Sequence, residues 1–370
     1  MSGIRWGAAR SADDMPRVRA DDLGQHMTGA RATCHSLRGV AAWMVLTAAN
    51  IACAALALPS PGEGLSTPTE TARSPATRTA TPPPSPSDTP APTPTPLGGG
   101  GWIAFSSDLD RFNTYSIFPI RPDGSDLRRL TEGIDPAFSP DGQSIAFAHT
   151  VQSRPDLYVI EVERGTKPRP LTEDWATEAG PVWSPDGQRI AFSSDLSGDE
   201  ELYLISVDGQ NRKRLTHSPG PDHSPAWSPD GMRLAFVSNR VSSADIFVLV
   251  LETEEVFRLT STRAIDTHPS WSPDGSWIAF SSSMGNPECE LCLNIHLMHP
   301  DGSDLRQLTF TDPGTSWTQA LFPSWSPDGE MIVYQATSEL YGVSFVAGKP
   351  QLLFHPPAPF SATQPVWSSP

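Results

Sequence analysis

Cysteine is scarce, with four residues in 370. Disulfides so few cannot replace a hydrophobic core, so the chain must bury one. Positive charge is short in the larger part of the chain. Residues 101–370 hold 18 Lys and Arg against 35 Asp and Glu, a balance that repels phosphate backbones and excludes nucleic acid as a partner. Several enzyme motifs are missing: no phosphate loop, no His-Glu-x-x-His, no dinucleotide fingerprint and no Gly-x-Ser-x-Gly elbow. The nearest approach to that elbow, Gly142-Gln143-Ser144-Ile145-Ala146, fails at its last position.

Charge is also missing from one continuous stretch, Gly39 to Leu58. Its length suffices to span a bilayer as one apolar helix. Arg31 and Arg38 precede it and Glu63 and Glu70 follow, which places residues 1–38 inside and everything after Pro59 outside. Three outcomes stay open. Residues 39–58 can be an uncleaved anchor, a signal cut after the small-x-small string Ala55-Leu56-Ala57, or a lipoprotein signal at Asn50-Ile51-Ala52-Cys53. The leader is long, and Met27 offers a shorter, acid-free start. Residues 59–100 form a linker. Twelve prolines lie between Pro59 and Pro96 among Thr, Ser and Ala, and Gly98 to Gly101 follow. Such a composition cannot bury enough surface to offset ordering entropy, so the segment reads as a disordered, semi-extended stalk.

What fills residues 101–370 is one motif repeated. Ser-Pro-Asp-Gly occurs at Ser139, Ser184, Ser228, Ser272 and Ser326, and a degenerate copy ends the chain at Trp367-Ser368-Ser369-Pro370. An aromatic residue precedes each serine, and strands such as Ile190-Ala191-Phe192 follow each glycine. Pro presets φ, Asp suits the third turn position and Gly takes the left-handed fourth, so each motif is a hairpin. A third strand follows, then a fourth ending in Leu-Thr, as at Leu215-Thr216. Four antiparallel strands in ~45 residues make a propeller blade. Gly101 to Phe105 begins in mid-repeat, whereas Gln364 to Ser368 is a first strand without a second. The fragments complete one another. The expectation is an all-β, six-bladed propeller closed by its C-terminal innermost strand on N-terminal outer strands.

These repeats resemble the TolB-like propeller repeat family, with its Pro-x-Trp-Ser-Pro-Asp-Gly, Ile-Ala-Phe and Leu-Thr elements. The resemblance covers residues 101–370 and implies an extracytoplasmic propeller that binds a partner at its channel mouth. No counterpart of TolB's N-terminal α/β domain is expected here. Related propellers belong to prolyl-oligopeptidase-like enzymes and to a metal-dependent lyase of pectate fragments. The chain ends as the propeller closes, so a hydrolase domain after it is not expected.

Candidate site residues stand just before the innermost strands: Asp135, Glu178, Asp222, His223, Asp266, His268, Gln319 and Gln364. Six-fold repetition is expected to gather them into an acidic channel rim. His223 and His268 are the candidate metal ligands, and a divalent cation is the one cofactor the pattern admits. On this reading, replacing Asp222 and Asp266 by Asn weakens ligand binding and spares stability. The main functional expectation is a non-catalytic, monomeric module binding protein, peptide or carbohydrate. The alternative is a metal-dependent lyase or hydrolase acting on acidic sugars. Cys289 and Cys292, in a long insertion from Met284 to Asn294, read as a local disulfide outside the cytosol. A zinc site with His296 and His299 is the competing reading.

Overall fold

The structure is a computed structural model. It describes residues 101–368 except 112–113, 152–153, 164–166, 242, 286–291, 311–318 and 347. The apolar segment 39–58, the linker 59–100, the alternative start at Met27 and Cys289 all lie outside the described residues.

The described strands follow the repeat. The described residues begin with β1 (Ile103–Ser107), β2 (Ser116–Ile120) and β3 (Thr131–Glu132). Blade one is β4 (Ile134–Phe138), β5 (Ser144–Val151), β6 (Arg154–Glu161) and β7 (Arg169–Pro170). Blade two is β8 (Glu178–Trp183), β9 (Arg189–Ser194), β10 (Glu201–Ser206) and β11 (Lys213–Arg214). Blade three is β12 (Asp222–Trp227), β13 (Arg233–Ser238), β14 (Asp245–Val250) and β15 (Val256–Arg258). Blade four is β16 (Asp266–Trp271), β17 (Ile278–Ser282), β18 (Asn294–Met298) and β19 (Arg306–Gln307). Blade five is β20 (Ala320–Trp325), β21 (Met331–Ala336), β22 (Glu339–Ser344) and β23 (Pro350–Phe354). Blade six is completed by β24 (Ala362–Trp367), which joins β1 so that the sheet order is β24-β1-β2-β3. Ile103 sits opposite Trp367 in that pairing. Closure by strands from the two ends of the domain is therefore as the sequence predicts, and it leaves no open inner edge.

The turn chemistry is visible atom by atom. In each Ser-Pro-Asp-Gly hairpin the Ser Oγ donates to the Asp carboxylate, as Ser228 does to Asp230 at 2.5 Å. The same Oγ accepts the backbone N–H five residues on, Arg233 to Ser228 at 2.9 Å. The glycines sit at φ 66 to 72°, in the left-handed region. Between the blades, Phe105, Phe147, Phe192, Phe236 and Phe280 are fully buried, each contributing about 1.5–3 kcal/mol. The aromatic residue closing each inner strand bridges blades: Trp183 Nε1 donates to Ala137 O at 3.1 Å and Trp227 Nε1 to Val182 O at 3.3 Å.

One detail differs from expectation. The fourth strands of blades one to four are only two or three residues long and stop before Leu-Thr. The leucine N–H still continues the ladder, as Leu215 N to Leu202 O at 2.8 Å. The threonine turns inward instead, its Oγ1 accepting an N–H in the first half of the third strand: Leu157 to Thr172, Leu202 to Thr216, Ile246 to Thr260 and Ile295 to Thr309, all at 2.8–3.0 Å.

Two faces follow. The Ser-Pro-Asp-Gly turns mark the turn face. The loops that lead into the inner strands mark the loop face, where the candidate residues stand.

Candidate functional site at the loop-face mouth of the channel

Each inner strand carries a bulge immediately before its proline. The residue there has positive φ in all six blades: Asp135 (53°), Gly180 (57°), Ser224 (52°), His268 (52°), Phe322 (54°) and Gln364 (54°). Strand pairing shifts register at the same place, as between His223 and Ala226. Proline explains why the bulge recurs. It disfavours the right-handed region for the residue before it and has no N–H to lose from the ladder. Non-glycine residues there are strained, and Phe322 most of all because of its bulk.

Several of these six half-buried residues meet their neighbours from the adjoining blade. The Gln364 amide donates to Asp135, and Asp135 N–H returns a bond to Gln364 Oε1 at 3.1 Å. Gly180 N–H donates to the other Asp135 oxygen at 3.1 Å. A methyl group on Gly180 would stand 4.0 Å from Ser224. Further round, the His268 and Phe322 rings lie 4.0 Å apart, centroid to centroid. His223 Nδ1 is 3.0 Å from Ser224 Oγ. One half of the ring is thus carboxylate and amide, and the other is hydroxyl, imidazole and phenyl.

The sequence candidates divide accordingly. Asp135, His268 and Gln364 are in the ring, and His223 lies beside it. Glu178, Asp222 and Asp266 stand at an earlier register, at the first position of their strands, and are fully buried. They do not form a solvated rim. Gln319 stands one residue before β20.

The three buried carboxylates sit at successive blade junctions with basic and hydroxyl partners. Glu178 accepts from Thr172 Oγ1 and lies 3.4 Å from Arg212. Asp222 accepts from Arg240 at 2.8 Å and from Ser218 at 3.1 Å. Asp266 accepts from Ser282, while its Oδ2 has no hydrogen-bond partner. Each faces an acid of the preceding blade: Asp156, then Glu201, then Asp245. Arg214 holds Glu201 at 2.7 Å and Arg258 holds Asp245 at 2.9 Å. Burial raises all three carboxyls, Glu178 to about 7, against the pull of hydroxyl donors and arginines.

Glu200, in the loop before β10, escaped the sequence reading. Burial pushes its carboxyl up to about 7 against a hydrogen bond from Ser193, and the charges of Asp195 and Asp222 add to the rise. Its charge is felt at Asp135, which burial also raises. The histidines shift the other way. Burial lowers His223 to about 4 and His268 to about 3, the latter helped by the charge of His223. Both are neutral imidazoles at pH 7. Among the described residues no group of three or more His, Cys, Asp or Glu is arranged to hold a metal ion. Cys292 is disulfide-bonded, and every other cysteine lies outside the described residues.

A closed six-bladed propeller with a polar ring at its channel mouth defines the class. The chain belongs to the TolB beta propeller domain family: the PD40 profile matches residues 129–221 and 200–346, more than half the chain. Among solved structures, TolB from Acinetobacter baumannii is similar at 24% identity and TM-score 0.63, over 72% of this chain and 66% of that one. The match thus spans less than two thirds of that protein. A TolB protein from Agrobacterium tumefaciens is 21% identical with TM-score 0.55, over 73% of this chain and 99% of its own. A chain of a nidogen/laminin complex reaches TM-score 0.58 at 11% identity, over 72% and 98%. These likenesses concern the fold. No curated protein matches the chain.

Proposed function

We propose that this protein is an extracytoplasmic binding module, tethered to a membrane through residues 39–58, that takes a protein or peptide partner at the loop-face mouth. The observation that carries this is the ring of pre-proline residues. Five non-glycine side chains are held at positive φ by the six-fold architecture, and strain of this kind clusters at binding sites. The ring offers what a partner's segment needs: acceptors at Asp135 and Gln364, and a π surface at His268 and Phe322. Location outside the cytosol is supported by the family, by the charge asymmetry around residues 39–58 and by the disulfide at Cys292.

The test is capture by the full chain from an extract of the producing cell's envelope, followed by mass spectrometry. His268→Gly with Phe322→Gly removes both rings while supplying the residue best suited to positive φ. A genuine partner is recovered by the parent and lost from the variant at equal melting temperature. Equal recovery by both proteins rejects the ring as the site.

A further inference from the structure

The loop face carries a second feature, outside the ring. Among the described residues Trp175 is the one tryptophan left exposed, at 63%. It stands in the loop between β7 and β8, and that loop is held on both sides of the indole. Asp174 Oδ1 accepts Ala176 N–H at 2.8 Å, and Asp195 Oδ1 accepts Thr177 N–H at 2.7 Å. Asp195 N–H returns to Thr177 O at 3.3 Å, and Arg212 holds the other Asp174 oxygen at 2.6 Å. Ala176, next to the indole in sequence, is fully buried. A loop pinned this way presents Trp175 with little backbone freedom left to lose on binding.

Its surroundings are acidic. Glu173 and Asp174 precede it, and the β9–β10 loop bonded to it brings Asp195, Asp199 and Glu200. Arg212 is committed to Asp174 and the buried Glu178, and Arg154 reaches only Asp195, at 3.9 Å. Elsewhere in the propeller tryptophan rings lie under a cation of the chain itself: Arg121 over Trp102 at 3.7 Å, Arg306 over Trp277 at 4.3 Å and Arg233 over Trp271 at 4.8 Å. Among the described residues no Lys or Arg covers Trp175. The loops of equal length into β12 and β16 have Pro219 and Arg263 at this place and contain no acid. The indole and its carboxylates are therefore a departure of one blade junction from the repeat, and the fold does not require them.

We propose that the partner taken by the loop face bears a basic segment, and that Trp175 receives an arginine side chain from it. This rests on the loop face being the partner's face and adds the partner's chemistry. A guanidinium lies flat on an indole and is drawn to the negative face of the ring. The exposed carboxylates of Glu173 and Asp199 pair with further basic residues of the same segment. Negative potential on this side of the face steers such a segment in from solution. An acidic or phosphate-bearing partner is repelled by the same charges.

The test uses the full chain and two labelled peptides of equal length and charge, one alternating glycine with arginine and one alternating glycine with lysine. Fluorescence anisotropy at low salt follows their binding. The parent is expected to prefer the arginine peptide by about fivefold, and Trp175→Ala to erase that preference. Glu173→Gln with Asp199→Asn should weaken both peptides by about fivefold. Glu252→Gln with Glu255→Gln, an equal loss of charge at exposed positions on the turn face, should leave both unchanged. All five side chains are exposed, so the variants are compared at equal melting temperature. Equal binding of the two peptides by the parent overturns the proposal, as does an arginine preference that survives in Trp175→Ala. So does equal weakening by the turn-face control. Trp175-dependent flotation with neutral phosphatidylcholine vesicles would make the indole a lipid anchor and overturn it too. The ring is tested on His268 and Phe322 with envelope extract in place of peptides, so either reading can fail while the other stands.

Discussion

Trp102 and Ser368, 266 residues apart in sequence, exchange two hydrogen bonds of 2.8 Å each. They extend the β1–β24 pairing by one step and fasten blade six. Deleting residues 362–368 removes β24, buries nothing in its place and strips Ile103 and Phe105 of their neighbours. The expected outcome is failure to fold or a loss on the order of 5 kcal/mol. Thermal unfolding decides it. A truncated protein melting within a degree or two of the parent would show that the ends do not hold the ring.

Arg240 and Arg111 both pair with acids and should differ sharply. Arg240 meets the fully buried Asp222 at 2.8 Å, whereas Arg111 is 70% exposed beside Glu132. Arg240→Ala leaves a buried carboxylate without its cation and should cost about 3 kcal/mol. Arg111→Ala should stay within about 0.5 kcal/mol. Denaturant melts of the two variants give the comparison directly.

The same burial reverses an expectation drawn from sequence. An acidic channel rim predicts that Asn at positions 222 and 266 spares stability. Asp222 instead bridges Arg240 and Ser218, so Asp222→Asn should lower the melting temperature whatever it does to binding. An unchanged melting temperature would return Asp222 to the rim.

Stability should form a plateau in pH. Glu178 and Glu200 titrate near 7 in the fold against an ordinary 4.5, so between those values the folded state holds protons the unfolded state has released. Their contribution is full below 4.5 and is lost as pH rises through 7. His223 and His268 have folded values near 4 and 3 against an ordinary 6.5. Their contribution is full above 6.5 and is lost as pH falls toward 3. The two slopes oppose between about 4.5 and 6.5, with decline on either side. In Glu178→Gln with Glu200→Gln the decline above pH 6.5 should shrink. Calorimetry from pH 4 to 8 checks this, and an unaltered alkaline limb in the double variant would count against it.

Trp183→Phe and Trp271→Phe remove the same ring from equivalent positions. The first also removes a hydrogen bond to Ala137, worth about 1 kcal/mol; the second removes an N–H with no acceptor. Trp271→Phe should therefore be the milder change in a denaturant melt.

The fold was legible because each Ser-Pro-Asp-Gly turn is a local object: four residues dictate the hairpin and its spacing counts the blades. The ring was legible only in part. Asp135, His268 and Gln364 share the pre-proline register, but Glu178, Asp222 and Asp266 look equivalent to them in sequence because all are polar residues at the head of an inner strand. Counting back from each proline separates the two registers, since the bulge fixes which residue faces the channel. Glu200 lies in a different loop from the other candidates, and only folding brings its charge to bear on Asp135. The arginine partners of the buried acids come from strands and loops 18 or more residues away for Asp222 and Glu178, a pairing that periodicity does not reveal.

The place where residue 101 joins the propeller has a mechanical consequence. Any pull transmitted from the linker acts at the end of β1, along that strand. β1 lies between β24 and β2, so the load falls on two ladders of hydrogen bonds in shear, all strained together, instead of being peeled apart one by one. Load applied at residue 101 therefore meets the strongest direction of the sheet, and blade six is not unzipped from that end.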